Sequence, residues 1–222
     1  MANFKQVIWD WNGTLLDDAQ ACAAAINMML ERRSLPGVTL RQYREIFDFP
    51  VRNYYLKLGF DFSKDQWDDV AVEYHKAYAI TSASSPLRKG TRAALDALKA
   101  GGIGISVLSA CEMRLLKRTL DERGISGYFD HIYGLDDLYA HSKLALGHAM
   151  LKNTGYSPSQ TLMVGDTTHD FDVATAMGIS CILMSGGHQA ESKLASLGCP
   201  VVRHFTQVLG HVFDRIRTQG TT

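Results

Sequence analysis

From residue 90 onward, short apolar runs alternate with helical segments that end at glycine. The apolar runs, together with one near the N-terminus, are residues 7–9, 103–108, 131–133, 161–164 and 181–184. The helical segments between them end at Gly101, Gly124, Gly155 and Gly178. Because strands that alternate with helices form right-handed βαβ units, this pattern predicts an α/β fold whose parallel sheet is buried on both faces.

Residues 18–84 have a different pattern, since four helical segments follow one another without a convincing strand. The spacing of Ser or Thr and Gln at 39–42 and 63–66 predicts two capping boxes that begin helices. The Ser-rich stretch 81–86 is interpreted as a linker that returns to the sheet. The chain is therefore expected to carry a helical insertion directly after its first strand.

The composition excludes several classes of partner and indicates a cytoplasmic protein. Lys plus Arg and Asp plus Glu both number 23, so net charge gives no attraction to nucleic acid or to a membrane surface. The basic pairs 32–33 and 88–89 are interpreted as solvated surface. The four cysteines form no CxxC pair, and no signal-peptide pattern or run of 18 apolar residues occurs. We expect no nucleic-acid or membrane partner, and monomer and homodimer both remain open.

Polar residues follow three of the predicted strands at the point where each strand ends. Asp10, Ser109 and Asp166 each come directly after an apolar run, and Lys143 follows the run at 131–133. Ligands of open parallel sheets bind beyond the carboxyl ends of the strands. These four side chains are therefore expected to meet in one crevice.

Two carboxylates, a hydroxyl and an ammonium in one crevice suit phosphoryl transfer. The two aspartates repel each other unless a cation lies between them, and oxygen ligands favour Mg²⁺. Asp10 is then placed to attack phosphorus, Ser109 to donate to a phosphate oxygen, and Lys143 to neutralise charge. Backbone N–H groups of the loop after Asp10 are candidates to bind the phosphate as well.

Four segments in order resemble the motifs of the haloacid-dehalogenase-like hydrolases. Residues 10–15, Asp-Trp-Asn-Gly-Thr-Leu, resemble the first motif, which is usually Asp-x-Asp-Gly-Thr. The strand that ends in Ser109 resembles the second motif and Lys143 the third. Residues 165–170, Gly-Asp-Thr-Thr-His-Asp, are similar to the fourth motif, Gly-Asp-x-x-x-Asp. The order and spacing of these motifs agree over nearly the whole chain.

The resemblance implies a Rossmann-like, doubly wound parallel sheet core with an inserted α-helical cap, as in the phosphoglycolate-phosphatase-like branch. The core would comprise residues 1–17 and 85–222, and the cap residues 18–84. The implied activity is Mg²⁺-dependent hydrolysis of a small organic phosphate monoester through an aspartyl phosphate. The only partner this activity requires is a small phosphorylated molecule.

The residues and the resemblance together assign a set of candidate site residues. The candidate catalytic residues are Asp10, Asn12, Ser109 and Lys143. The candidate substrate contacts are Gly13, Thr14, Ser109, Ala110, Lys143 and, from the cap, Arg52. The candidate metal ligands are Asp10, Asn12 through its carbonyl, Asp166 and Asp170. His169 and His188 are interpreted as loop residues without a role in the chemistry.

Asn12 departs from the family pattern, in which an aspartate at this position protonates the leaving group and later activates water. An amide supplies a carbonyl to the metal but does not shuttle a proton, and losing a general acid costs roughly 10²–10⁴ in rate. Asp17 and Asp18 follow closely and are weak candidates to replace it. Restoring the carboxylate by Asn12→Asp is expected to raise the turnover of alkyl phosphates.

The loss of this acid leaves two alternative functions open. One is an enzyme for acyl phosphates, whose leaving groups need no proton. The other is a weakly active or degenerate family member that binds phosphorylated ligands or a partner protein. A phosphorylatable receiver domain also uses aspartates, lysine and Mg²⁺, but the long insertion after the first strand argues against it.

Overall fold

A computed structural model describes residues 4–136 and 143–217, with side chains described as far as Phe213. These residues contain six strands and ten α-helices. The strands are β1 (Gln6–Trp9), β2 (Gly104–Glu112), β3 (His131–Leu135), β4 (Thr161–Gly165), β5 (Ser180–Met184) and β6 (Val201–Val202). The helices are α1 (Ala19–Arg32), α2 (Leu40–Ile46), α3 (Val51–Lys57), α4 (Trp67–Thr81), α5 (Thr91–Ala100), α6 (Met113–Glu122), α7 (Leu144–Thr154), α8 (Thr168–Ala176), α9 (Glu191–Ala195) and α10 (Phe205–Arg217).

The six strands form one parallel sheet in the order β3-β2-β1-β4-β5-β6. Val7 of β1 pairs with Ile105 of β2 on one side and with Leu162 of β4 on the other. From β1 the chain adds β2 and β3 on one side, and then β4, β5 and β6 on the other, so the order reverses between β1 and β4. In sheets of this kind, ligands bind beyond the carboxyl ends of the strands at that reversal.

Helices cover both faces of the sheet, so the fold is doubly wound and Rossmann-like, as expected. Successive strand residues point to opposite faces. Val7 and Trp9 belong to the apolar cluster that contains residues of α5, α6 and α10. Ile8 belongs to a second cluster with Met150 of α7 and Val173 of α8. Burial on both faces explains why the strands appear in the sequence as uninterrupted apolar runs.

Helices α1 to α4 form the expected helical cap and have their own apolar cluster, which includes Ile26, Met29 and Val70. The capping box at Thr39 and Gln42 is present at the start of α2. The box expected at 63–66 is not formed. The backbone N–H and the hydroxyl of Ser63 both donate to Asp61, and α4 begins only after Gln66.

The two connections between the cap and the sheet run side by side. The backbone N–H of Asp17 donates to the carbonyl of Pro86 at 2.9 Å. One step closer to the sheet, the N–H of Arg88 donates to the carbonyl of Leu15, also at 2.9 Å. The chain therefore leaves the sheet and returns to it at nearly the same point.

Three details differ from the sequence expectations. Strand β2 continues past Ser109 to Glu112, with a shift of register against β3 after Leu108. The short elements α9 and β6 were not anticipated, because two or five residues are too few for a periodic pattern. Ser142, the expected start of a helix, lies outside the described residues, and α7 begins at Leu144.

Within the described residues, no helix has the length and apolar character needed to span a membrane.

Candidate active site

Lys143 is the centre of the site and lies between two carboxylates. Its Nζ is 2.5 Å from Oδ1 of Asp10 and 2.6 Å from Oδ1 of Asp170, and it also donates to the carbonyl of Leu108 at 3.0 Å. Lys143 is only 1% exposed. Its ammonium therefore has three fixed partners and little freedom to move.

Asp10 and Asp166 follow the two central strands and are linked through Thr14. The N–H of Asp10 donates to the carbonyl of Val164, which fixes the residue at the end of β1. Oγ1 of Thr14 lies 3.2 Å from Oδ2 of Asp10 and 3.0 Å from Oδ1 of Asp166. A single hydroxyl thus keeps the two carboxylates at a defined separation.

Asp170 is oriented by the start of α8. Its Oδ2 accepts hydrogen bonds from the N–H and the hydroxyl of Thr167, which form a capping box with it. A further bond comes from the N–H of Asp166. With Oδ2 engaged by the helix terminus, Oδ1 of Asp170 faces Lys143.

The three carboxylates are buried together with one ammonium. Burial raises the pKa of Asp10 to about 8 against the lowering effect of Lys143, and burial also raises the pKa of Asp166 to about 6. Burial alone would lower the pKa of Lys143, but the neighbouring carboxylates Asp10 and Asp170 raise it above its ordinary value. Ligand oxygens of the three aspartates lie within 4.8 Å of one another. This oxygen donor set, with its excess of negative charge, fits a hard divalent cation.

Gly13 allows the loop after β1 to approach Asp166. It has a φ of +74°, and a Cβ at this position would lie 2.3 Å from Oδ2 of Asp166. Its N–H donates to Asp18, and the N–H of Thr14 faces the carbonyl of Trp11 at 3.3 Å. These two amides therefore bind within the protein rather than facing the cavity.

The Asn12 side chain is held by the cap. Its Nδ2 donates to Oδ2 of Asp18 at 2.7 Å and to the hydroxyl of Tyr78 at 2.9 Å. The same Tyr78 hydroxyl donates to Asp18 at 2.6 Å, and Asp18 is fully buried. Neither Asp17 nor Asp18 lines the cavity described below. The structure thus gives no support to either as a replacement for the missing acid.

His188 corrects the sequence interpretation, which placed it in an exposed loop. It is 5% exposed, with Nε2 3.3 Å from Oδ1 of Asp18 and Nδ1 2.8 Å from the hydroxyl of Tyr43. Burial alone would lower its pKa, but Asp18 and the two site carboxylates Asp166 and Asp10 raise it to about 9. His188 and Asp18 therefore form a buried ion pair. The available signal was its position just after β5, at the same edge of the sheet.

Arg88 was interpreted as solvated surface, but its guanidinium is partly buried and connects two loops. Nη1 donates to the carbonyl of Gly13 at 2.8 Å, and Nη2 donates to the carbonyl of Ser185 at 2.7 Å. These bonds join the loop after β1 to the loop after β5. Arg88 thereby helps to position the segment that carries Asp10.

A cavity of about 150 Å³ lies between the core and the cap. Seven of the sequence candidates line it: Asp10, Asn12, Ser109, Ala110, Lys143, Asp166 and Asp170. The candidates Gly13 and Thr14 do not. The hydroxyl of Ser109 accepts a hydrogen bond from the N–H of Cys111 at 3.1 Å, which orients its oxygen.

Two other residues lie differently from the sequence expectation. Arg52 is exposed, its guanidinium lies 4.9 Å from the centre of the Phe62 ring, and it does not line the cavity. His169 does line it and stacks on Phe49 with ring centres 4.5 Å apart. Arg52 therefore lies outside the cavity in this structure, whereas His169 is part of its lining.

The cap is held on the core by the segment that follows β5. Arg44 of α2 donates to the carbonyl of Gly187 at 2.8 Å and to that of Gly186 at 2.6 Å. Nε2 of Gln189 donates to the carbonyl of Phe47 at 3.1 Å. These hydrogen bonds join the cap to the loop that carries His188.

Comparison with known proteins agrees with this architecture. The family model of the haloacid dehalogenase-like hydrolases matches residues 7–184. A "Probable phosphatase IndB" of Dickeya dadantii is 27% identical over 92% of this chain and 91% of its own. A "Phosphoglycolate phosphatase" of Pseudomonas fluorescens is 29% identical over 86% of this chain and 73% of its own. A haloacid dehalogenase-like family hydrolase from Streptococcus pneumoniae has a TM-score of 0.82 at 20% identity, covering 95% of this chain and 99% of that one, so it shares the fold. Because the family model spans most of the chain, this protein belongs to the haloacid dehalogenase-like hydrolases.

Proposed function

We propose that this protein is a Mg²⁺-dependent phosphatase that hydrolyses a small organic phosphate monoester. The observation that carries the proposal is the buried Lys143 ammonium between Asp10 and Asp170, with Asp166 beside them at the carboxyl edge of the sheet. Two similar proteins named as phosphatases support the same reaction. Phosphoglycolate, the substrate in one of those names, is the first compound to assay.

Asp10, Asp166 and the carbonyl of Asn12 are the groups that would hold Mg²⁺. Asp170 contributes negative charge but is engaged by Lys143 and Thr167, so its main part is to hold Lys143 in place. When bound, Mg²⁺ offsets the charge of the carboxylates and of the phosphate, so that the two anions approach each other.

In the proposed reaction, a carboxylate oxygen of Asp10 attacks phosphorus. The P–O bond to the organic group breaks, and the leaving oxygen keeps the bonding electron pair. Lys143 neutralises charge on the phosphoryl group and holds Asp10, while the hydroxyl of Ser109 donates to a phosphate oxygen. Water then hydrolyses the aspartyl phosphate, which releases inorganic phosphate and restores Asp10.

The hydrogen bonds of Asn12 favour a second candidate within the same chemistry. Its amide is held by Asp18 and Tyr78 and provides no proton for the leaving group. Alkyl phosphates therefore incur a loss of rate on the order of 10²–10⁴, whereas acyl phosphates do not need the proton. Hydrolysis of acyl phosphates is the alternative that this observation supports.

We also propose that residues 18–84 move as one cap above a core of residues 1–17 and 85–222. The separate apolar cluster of α1 to α4 supports a single unit, and the adjacent connections at Asp17 and Pro86 support a hinge. Because the cavity lies between the cap and the core, the substrate enters when the cap opens.

The test is to measure the hydrolysis of acetyl phosphate and phosphoglycolate with Mg²⁺, after chelation, and after Mg²⁺ is added back. Activity is expected to disappear on chelation and to return with Mg²⁺. In addition, Mg²⁺ should raise the Tm of the parent but not that of Asp166→Asn. Asp172→Asn is the matched control, since Asp172 is an exposed aspartate on α8, the helix that follows Asp166. Full activity after exhaustive chelation would contradict the proposal.

A further inference from the structure

The cap side of the cavity is formed mainly by aromatic side chains. Thirteen residues from helices α1 to α4 and their loops line it, and eight of them are Phe, Tyr or Trp. Among these thirteen, all within the described part of the chain, there is no Lys, Arg, Asp or Glu. Apart from tyrosine hydroxyls and the imidazole of His75, the organic part of a bound phosphate ester therefore meets an apolar wall. The hydroxyls of Tyr43, Tyr74 and Tyr78 already have hydrogen-bond partners within the protein.

The aromatic wall is packed internally. The rings of Tyr43 and Phe47 stack with centres 5.3 Å apart, and Tyr54 meets Phe47 edge to face at 5.2 Å. Tyr55 and Trp67 are also edge to face, at 5.9 Å. Contacts of this geometry fix the ring orientations, so the shape of the wall exists before a ligand binds.

The cationic side chains described above on the core side already have anionic partners. Lys143 is engaged by Asp10 and Asp170, and His188 is paired with Asp18. The carboxylate of Glu112 caps α6 by accepting from the N–H groups of its first turn, which adds negative charge to this side. Among the described lining residues, a carboxylate on the substrate would meet no unpaired ammonium or guanidinium, only the imidazole of His169. It would lose its water without a full cation in exchange, which is unfavourable.

The Asn12 amide selects for leaving groups that depart without a proton. Phenols have a pKa of about 10, as in tyrosine, whereas water, which approximates a simple alcohol, has a pKa of about 15.7. An aryl oxide therefore leaves phosphorus with the bonding electrons far more readily than an alkoxide, and takes its proton from water afterwards. The apolar wall and the missing acid independently favour the same kind of substrate.

We infer that the substrate of this site is a phosphate monoester of an uncharged aromatic ring rather than a carboxylate-bearing one such as phosphoglycolate. The inference rests on the phosphatase function proposed above. It adds the chemical class of the organic group, which the names of similar proteins do not supply for this chain.

The first experiment compares substrates in pairs that separate ring recognition from leaving-group chemistry. Benzyl phosphate and phosphoglycolate both release alkoxides, so their ratio of kcat/KM reports the cavity alone. Phenyl phosphate and para-carboxyphenyl phosphate share a ring, and the second has the better leaving group but adds a charge. We expect kcat/KM to be about tenfold higher, or more, for benzyl phosphate than for phosphoglycolate. The same difference is expected between phenyl phosphate and para-carboxyphenyl phosphate.

A variant that fills the cavity shows whether the ring occupies it. Ala71 of α4 is buried and lines the cavity, whereas its neighbour Val72 is 40% exposed on the outer side. Ala71→Leu should raise KM for phenyl phosphate at least fivefold more than it raises KM for acetyl phosphate, which carries no ring. Val72→Leu should change neither value. A Tm measured for each variant identifies any loss of folding.

Binding of inert analogues decides the inference even if turnover is slow. Benzylphosphonate should raise the Tm in Mg²⁺ more than phosphonoacetate does at the same concentration. Preference for phosphoglycolate and phosphonoacetate would overturn the aromatic assignment and leave the phosphatase intact. If no ester or acyl phosphate is hydrolysed, the proposed function fails, and the phosphonate comparison alone then confirms or rejects the aromatic site.

Discussion

The two walls of the cavity follow different principles. On the core wall, the buried charges are held by two or more fixed partners, as Lys143 is by Asp10, Asp170 and a carbonyl. On the cap wall, aromatic rings pack on one another, and the buried hydroxyl of Tyr54 has no partner among the described residues. The hydrogen bonds of the core wall fix the positions of the reacting groups. Ring packing on the cap wall defines the shape of the cavity and tolerates substitution by side chains of similar volume.

The largest effect is expected when the core wall loses its nucleophile. Asp10→Asn keeps the shape of the side chain but removes the attacking carboxylate. Turnover should fall below about 1% of the parent, since loss of a nucleophile costs several orders of magnitude in other hydrolases. Initial rates and Tm measured on the same preparation check this. Asp17→Asn, at an exposed aspartate nearby, should keep full activity. Residual activity above that level would indicate another nucleophile.

The second largest effect is expected at Asn12, a core residue whose side chain is held by the cap. The sequence alone led us to expect faster turnover of alkyl phosphates from Asn12→Asp, and the structure changes that expectation. In Asn12→Asp, a carboxylate would face the buried Asp18 in place of an amide donor. We expect this single change to reduce stability by roughly 1.5–3 kcal/mol, because a hydrogen bond to a charged group is lost and a repulsion is added. Any gain in rate from the new carboxylate is then hidden, because the same variant loses the hydrogen bond that holds residue 12 in the site.

Exchanging the two groups tests that explanation. The double variant Asn12→Asp with Asp18→Asn keeps one amide and one carboxylate in contact. We expect it to raise the hydrolysis of alkyl phosphates about tenfold over the parent. Its Tm is expected to stay below that of the parent, because Asp18→Asn also removes the anionic partner of the buried His188. If Asn12→Asp alone is as stable as the parent and equally active, the contact with Asp18 is unimportant and the site does not lack an acid.

A smaller effect is expected where the cap rests on the core. Arg44→Ala removes the hydrogen bonds to the carbonyls of Gly186 and Gly187. KM should rise several-fold with kcat little changed, because the cap closes less often, and hydrogen exchange should increase at residues 186–190. Arg41→Ala on the same helix is the control, since Arg41 is exposed and forms an ion pair with Glu45 of that helix. Equal KM values for the two variants would argue against a role for these bonds.

The smallest effect is expected on the cap wall. Tyr54→Phe removes a buried hydroxyl that has no hydrogen-bond partner among the described residues. Its Tm should be unchanged or slightly raised, because a buried unpaired polar group is itself unfavourable. The free energy of unfolding should rise by no more than about 1 kcal/mol. Thermal unfolding of the parent and the variant measures this. A clear loss of stability would show that the hydroxyl is bonded and that the wall is less apolar than it appears.

Much of the fold and the core wall follows from the sequence. The carboxyl ends of parallel strands share one edge of the sheet, so an aspartate directly after an apolar strand lies at that edge. Asp10 and Asp166 are fixed in this way, and the helical character of residues 18–84 follows from periodicity. The sheet order also agrees with the expected doubly wound arrangement.

The contacts between cap and core do not follow from the sequence. Tyr43 and His188 are 145 positions apart, and their hydrogen bond depends on how α2 rests against the loop after β5. Periodicity gives the apolar face of a helix but not the surface that the face meets. For the same reason, Arg52 on the helical segment was a plausible substrate contact, yet it faces away from the cavity toward Phe62.

The paired connections at Asp17 and Pro86 have a consequence for how such proteins diversify. The insertion begins and ends at positions joined by a 2.9 Å hydrogen bond, so the core accommodates it as it would a loop. A different segment with closely spaced ends fits the same gap without stretching the sheet. Recombination at this junction would exchange one cap for another without breaking a strand of the sheet, which makes the junction a practical site for building chimeras. Such a chimera would need partners for Asn12 and His188 in place of Asp18 and Tyr78.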